Sequence, residues 1–593
     1  MKAPQFPPEK TTGKFCFPVN KHLLRSCCNA DTLPAWLYIL LPLVGLYDLT
    51  QETYAVELAG VVLAVGVVGR LLYAGRRTYK VTVYGLLLGL YFLFACCNGG
   101  LTAPLRIQEN WLVAGMLYLY VRLGGMLLRT TGTVWLFVAG GLLQTGIGAL
   151  QQAGLVASLH NDFDVTGSFG NPAPWGGYLA VSVLMAVAAL RQPGTERSGQ
   201  RWPLLAALVV LLYGLWLADS RAAWLATGCG WLALEVLRLK TAAARLKGTI
   251  AGGVAVLLCV GALYSYRTAS ADARLLIWKA GSTLFLHHPW TGTGVNGFAA
   301  NYMPAQGDYL ANAGAEERLL ASDNMLAYNE PLCLACEQGV VGFLLLGGVI
   351  GWLLLGAASA FRTGKDMLFP PFVGWLVFSC FSYPMAEPAL ALLFPFFLGR
   401  AVVLRPNAVH RPVAGRRTVR YAGCLCAVCV GCFFGYNGLQ RYRADQRLAI
   451  LFFEEGPVAQ RVAEAGMSFV YRNSDLLHRY ATLWMIREEL PQAVKALEAL
   501  RNMAPSAGVL LDAGLCLEQT GQYEAAASAY AEAARWVPGL LTPRFRLFML
   551  YARQGKDEQA RQQARKVLGQ AVKLEDDRTL QMRRLAERYL NTH

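Results

Sequence analysis

Apolar runs of about twenty residues alternate with short polar connections through the first two-thirds of this chain. They lie near residues 34–49, 54–73, 81–97, 110–128, 133–150, 175–190, 203–218, 222–237, 248–266, 331–356, 370–386, 388–404 and 419–438. That is the length a helix needs to cross a hydrocarbon core. The pattern predicts an all-α, polytopic transmembrane bundle of 12–13 helices, the last-but-one pair, around Pro384 and Pro388, also reading as one broken hairpin.

One long polar stretch interrupts the apolar part, residues 267–329. After about residue 440 hydrophobicity drops and helical periodicity takes over. Gly521-Gln-Tyr-Glu-Ala-Ala526 aligns with Gly555-Lys-Asp-Glu-Gln-Ala560 at an offset of 34, and Leu490-Pro-Gln-Ala493 precedes Ala526 by 33. Leu497, Tyr530 and Ala564 keep step, as do Pro505 and Pro538. This is the period of a tetratricopeptide-like helical hairpin. Three such units form a short solenoid, a shape that commonly binds polypeptide. The division is therefore an N-terminal segment 1–33, a membrane domain 34–440 holding the loop 267–329, and a repeat domain 441–593.

Composition agrees: 55% of the 593 residues are hydrophobic and 16% charged, against about 25% charged in soluble domains. No cleavable signal is evident at the polar N-terminus. A net charge of +16 in a soluble chain would raise nucleic acid as a partner, but here the connections account for it. With the N-terminus inside, the even-numbered connections hold eighteen Lys and Arg, the odd-numbered ones six, four of them in the long loop. Basic connections stay cytoplasmic, so the loop 267–329 and the repeats are expected on the outer face. The connections with Gly167-Ser-Phe-Gly-Asn-Pro172 and with Asp219-Ser-Arg221 face the same way. Most of the fifteen cysteines fall in apolar runs and read as small hydrophobes. His287 and His288 have no second cluster of ligands, so no metal site is expected.

Candidate chemistry gathers on that outer side. Arg221 stands at the mouth of a membrane helix, where a guanidinium either snorkels or grips phosphate. Arg274 and Trp278 share a helix face. The glycines in His288-Pro-Trp-Thr-Gly-Thr-Gly-Val-Asn-Gly-Phe298 lack the preceding strand and following Lys of a phosphate loop and read as a tight reversal at the membrane surface. Asn329 and Pro331 have the form of a helix cap and first turn. Glu330 and Glu337 lie seven apart on the helix that follows, hence on one face, and capping explains neither.

Taken in order, Gly167-Ser-Phe-Gly-Asn-Pro172, Asp219-Ser-Arg-Ala-Ala-Trp224, Arg274 with Trp278, the 288–298 segment, and Tyr328-Asn-Glu-Pro-Leu ending in Glu337-Gln-Gly-Val-Val-Gly342 resemble the O-antigen ligase/polymerase superfamily of membrane glycosyltransferases. The resemblance covers roughly residues 35–440. It implies transfer of a glycan from an undecaprenyl diphosphate carrier to an acceptor on the periplasmic face of a bacterial inner membrane, without metal, nucleotide sugar or other cofactor. Arg221 and Arg274 would hold the diphosphate, with Trp278, Glu337 and Asn171 in support. The catalytic set would be Glu330, Tyr328 and Asn329. The ligases commonly have a His just before the Asn at the loop's end, and this chain has Tyr328. A phenol with an ordinary pKa near 10 is a poor base at neutral pH, so either Glu330 takes the role, which is the reading favoured, or the acceptor loses its proton late with Tyr328 only orienting it, or this branch has lost activity.

The superfamily offers three acceptors: lipid A core, a growing glycan, or protein Ser/Thr. A repeat domain on the outer side raises the protein acceptor and a protein partner. A non-catalytic scaffold and a transporter are the alternatives from another class. A transporter of charged substrate puts ionisable groups at mid-membrane depth, whereas here they stand mainly at helix ends.

Overall fold

The computed structural model describes residues 33–592 apart from 45–51, 74–79, 82, 101, 125–130, 161, 193–198, 267, 364–366, 405–410, 413–415, 454–465 and 574. The expected segment 1–33 thus lies almost wholly outside the described residues, as do Arg76, Arg77, Arg129, Arg197, Lys365 and Arg405 of the basic connections. The fold is all-α, and each of the thirteen apolar runs forms or contains a helix. Six helices among the described residues are long and apolar enough to cross a membrane. The two extremes of their burial define centre and edge. Pro172–Leu190 has 83% of its apolar window buried and forms the core of the bundle; Ala242–Tyr266 has 6% and stands at its rim.

Three neighbouring runs are not single straight helices. The predicted 331–356 span is part of Glu330–Arg362, which breaks at Gly339, where φ is +60° and ψ −165°. The predicted 370–386 run ends as a helix at Ser379, and a turn leads to Pro388–Ala391 and Leu393–Leu404.

The break at Gly339 is filled by the loop. Backbone groups freed by a broken helix need new partners at membrane depth. Thr293 N donates to Cys336 O (2.9 Å) and Gly294 N to Glu337 O (2.9 Å), while Val340 N donates to Pro289 O (2.8 Å). A Cβ on Gly339 would meet the Trp290 carbonyl carbon at 2.3 Å, and one on Gly292 the Glu337 carbonyl carbon at 2.3 Å. The kink Cys96–Gly100, which follows the helix Val83–Ala95, joins them: Val295 N donates to Asn98 O (3.0 Å), and Asn98 Nδ2 to Thr291 O (2.6 Å). The 288–298 segment is therefore more than a surface reversal; it is wedged between two half-helices.

Helical hairpins follow Arg416–Phe453, a helix that runs unbroken past residue 440. The pairs are Ser474–Ile486 with Leu490–Met503, Ala507–Gln519 with Tyr523–Trp536, and Leu541–Arg553 with Asp557–Gly569, closed by Asp577–Thr592. The small residues that set the repeat, Ala493, Ala526 and Ala560, are each fully buried where paired helices cross.

The repeats touch the rest of the chain at two places. Arg441, 1% exposed, pairs with Glu57 (2.9 Å) and with Asp475 of the first repeat (2.9 Å), and its Nη2 donates to Asn473 Oδ1 (3.0 Å). The Glu109 carboxylate lies 3.9 Å from the same guanidinium and accepts from Asn437 Nδ2 (2.9 Å). The second repeat shares a hydrophobic core with the loop 268–329, in which Phe298, Tyr302, Met303 and Ala327 meet Ala507, Leu510, Ala533 and Trp536. Loop and repeats consequently occupy the same side of the bundle.

Candidate functional site

Arg274 lies on the loop's first helix, Thr268–His287. Its Nη1 donates to Phe381 O (2.6 Å), and its guanidinium carbon lies 5.3 Å from the Tyr328 ring centroid. Burial pulls its pKa below the usual arginine range, and the neighbouring Arg221 guanidinium pulls it the same way; Tyr328 and Tyr383 oppose. Among the described residues no carboxylate pairs with Arg274. Two like charges thus share one partly buried place, an arrangement that lowers the cost of bringing an anion there.

Arg221 begins its helix, Arg221–Arg238, after the N-cap Ser220 and Asp219, the latter with φ +43°. Its Nη1 donates to Leu263 O (2.9 Å) at the end of the rim helix Ala242–Tyr266. Arg221 and Arg274 therefore reach each other's field from separate helices, and each is held by a backbone carbonyl.

Tyr328 closes the loop with φ +50°, a left-handed conformation uncommon for a bulky residue. Trp278 Nε1 donates to Ala327 O (3.0 Å), fixing the turn just before it. Asn329 is a helix cap: its Oδ1 accepts from Leu332 N (2.9 Å). Glu330 Oε1 accepts from Met385 N (3.0 Å). The turn after Ser379 therefore assembles the site, since Phe381 holds Arg274, Met385 holds Glu330, and Tyr383 sets its ring edge-on to Tyr328 at 5.2 Å. Sequence reading passed over Tyr383 and its turn. The available signal was Pro384 and Pro388 bracketing a polar pocket within an apolar pair.

Glu337 does not join this cluster. Its Oε1 accepts from Phe298 N (3.3 Å) at the start of the helix Gly297–Ala311, a favourable place for a carboxylate. Asn171 caps Pro172–Leu190, accepting from Ala173 N (2.9 Å). Both support the frame through backbone amides. The open apolar groove lined by Leu58, Val61, Phe434 and Gly438 lies apart from these residues, between Glu52–Tyr73 and Arg416–Phe453. Among the described residues no cluster of His, Cys, Asp or Glu is arranged to hold a metal ion.

Fold and site together define an all-helical, multi-pass membrane protein with a helical-repeat tail and an arginine-rich centre on the repeat side. Residues 206–347, which contain Arg221, Arg274 and the Tyr328 turn, match the family model described as O-antigen ligase. That match supports a membrane glycosyltransferase type of function. No curated protein matches the chain. A solved structure, the crystal structure of the APC/C hetero-tetramer Cut9–Hcn1, aligns over 91% of this chain and 90% of its own at 10% identity and a TM-score of 0.20, too loose a likeness to carry an argument.

Proposed function

We propose that the chain transfers a glycan from undecaprenyl diphosphate to an acceptor hydroxyl at the periplasmic face of a bacterial inner membrane. The observation that carries this is Arg274, partly buried beside Arg221, with a carbonyl and a tyrosine face as its neighbours and no paired carboxylate among the described residues. A diphosphate oxygen is a stronger, charge-assisted acceptor than either carbonyl and fits the guanidinium fork. The acceptor oxygen attacks the anomeric carbon as the bond from that carbon to the diphosphate oxygen breaks. The departing undecaprenyl diphosphate keeps the electron pair, and the two guanidinium groups stabilise the charge that builds there. The acceptor's proton passes to the Glu330 carboxylate, which the Met385 amide orients. No metal is required for any of these steps.

A protein acceptor is the second reading, favoured by one observation: a polypeptide-binding type of fold packs directly on the loop that carries Arg274 and Tyr328. Lipid A core and a growing glycan are the other acceptors. The test is a deletion strain examined separately for lipopolysaccharide laddering and for glycoproteins, complemented with wild type, Arg221→Ala and Arg274→Ala at equal membrane levels. Loss of transfer in both variants is expected. Full transfer in both would discard this site and favour a scaffold.

A further inference from the structure

We infer that the second helical repeat, residues 507–540, is a positioning element of the candidate donor site, acting through Trp536 and Asp323. The role in transfer rests on the function proposed above; the docking does not.

The loop 268–329 is held from both sides. From the membrane side, the break at Gly339 grips Pro289–Gly294. From the other side, the grip is the second repeat. The Asp323 carboxylate accepts from Ala507 N (2.6 Å) and Gly508 N (3.1 Å), capping the repeat's first helix from outside the repeat. Gln306, buried, donates from Nε2 to Trp536 O (2.8 Å), and Asp308 pairs with Arg535 (2.9 Å). Trp536, 1% exposed, lies against Gly307, where a Cβ would stand 2.7 Å from its Cδ1. A glycine in mid-helix is destabilising relative to Ala, and this contact supplies a reason for it.

The same core reaches the site. Trp536, Val537 and Leu540 belong to one apolar cluster with Trp278, Ala327, Tyr328 and Leu332. Trp278 in turn holds the carbonyl before Tyr328. Tyr328 keeps a left-handed backbone that persists only where its surroundings over-determine it. Removing the repeat's side of the core frees Asp323 to Tyr328, the segment whose far end faces Arg274. Misplacement of about 1 Å is enough to cost on the order of a hundredfold in rate.

This also limits where a partner can bind. The Trp536 side of the second repeat is occupied by the chain's own loop.

The test uses the full chain in lipid nanodiscs, with hydrogen exchange of residues 322–329, binding of undecaprenyl diphosphate, and transfer as readouts. Trp536→Ala and the wedge Gly307→Leu are expected to speed exchange at 322–329 by about tenfold or more. Undecaprenyl diphosphate binding should weaken and the donor KM rise, with the acceptor KM unchanged. Trp536→Phe should restore most of both. A Gly307→Cys/Trp536→Cys pair should lose donor binding when reduced and regain it when oxidised, with wild type under the same oxidant as control. Unchanged exchange at 322–329 in Trp536→Ala and Gly307→Leu overturns the inference. So does faster exchange with unaltered undecaprenyl diphosphate binding. A wild-type chain that binds undecaprenyl diphosphate but transfers nothing strikes at the transfer reading alone, and the exchange and binding results then judge this inference by themselves.

Discussion

The Arg274 guanidinium faces the Tyr328 ring at 5.3 Å, and Tyr328 is held at φ +50° in presenting it. A left-handed bulky residue costs of order 1–3 kcal/mol, and the strained turn is the one that sets the ring face toward Arg274. Tyr328→Phe keeps the ring and should retain most of the transfer. Tyr328→Ala removes a cation–π contact worth about 0.5–2 kcal/mol and should lower transfer by roughly threefold to thirtyfold. Tyr328→His, a residue better suited to positive φ, should fold and remain active. If Tyr328→Phe is as impaired as Tyr328→Ala, the phenol oxygen and not the ring face is the working group.

Glu330 is tied to the same turn as Arg274, through Met385 N. As acceptor of the hydroxyl proton it should be worth on the order of a hundredfold to ten-thousandfold. Glu330→Gln keeps an oxygen to accept from Met385 N and removes only the base. Transfer measured at equal protein should fall by that range, with donor binding intact. Wild-type turnover in Glu330→Gln would remove it from the chemistry.

Much of this architecture was legible in the chain itself. The spans followed from run length, and the repeats followed from Ala493, Ala526 and Ala560, because a residue that must be small recurs wherever paired helices cross. Arg221, Arg274 and the Tyr328 turn were recognisable as a set, and the structure brings them together. What hydropathy could not show was the partner of each exception. The break at Gly339 depends on carbonyls and amides about fifty residues earlier, and Glu337 on an amide thirty-nine residues away. Tyr383 was hidden because a turn inside an apolar pair has no periodicity. Glu57 and Glu109 were visible as acids in or beside apolar runs, but Arg441 lies 384 residues beyond the first.

Gly339 lies against the Trp290–Thr291 backbone and Gly292 against the Glu337–Gln338 backbone, contacts that no rotamer change relieves. Gly339→Ala would place its Cβ 2.3 Å from the Trp290 carbonyl while φ is +60°. Positive φ and overpacking each cost about 1–3 kcal/mol. Thermal unfolding in detergent should show Gly339→Ala and Gly292→Ala destabilised by several kcal/mol. Gly347→Ala, with nothing within 4 Å of its Cβ, should be neutral or stabilising. Equal behaviour of Gly339→Ala and Gly347→Ala would mean that the wedge is not the native arrangement.

Arg441 should be needed for a reason separate from catalysis. It compensates Glu57 and Glu109 and anchors Asp475 and Asn473. Removing one partner of a buried ion pair typically costs about 3–5 kcal/mol, whereas replacing all partners together can be neutral. Arg441→Met should therefore unfold at markedly lower temperature, and Arg441→Met with Glu57→Gln and Glu109→Gln should recover part of the loss, since Arg106, 3.8 Å from Glu57 and 3.9 Å from Glu109, then loses both acids. A triple variant as unstable as the single one would show that the packing of the arginine stem, rather than its charge, matters.

Asp512, on the first helix of the second repeat, gives a pH test within the repeats. Burial raises its carboxyl above the ordinary aspartate value, and His478 opposes the rise. An acid whose folded pKa is raised binds its proton more tightly in the folded state than in the unfolded one. Its stabilising contribution is complete below the unfolded value, near 3.9, and is lost as pH rises through the folded value. At neutral pH the folded chain carries a carboxylate it holds poorly. Asp512→Asn mimics the protonated form and should melt at higher temperature than wild type at pH 7. The gap should close as the pH is lowered toward 4. Melting followed from pH 4 to 8 tests this directly, and an Asn variant less stable than wild type at pH 7 would show that the carboxylate is held by a favourable contact instead of being strained by burial.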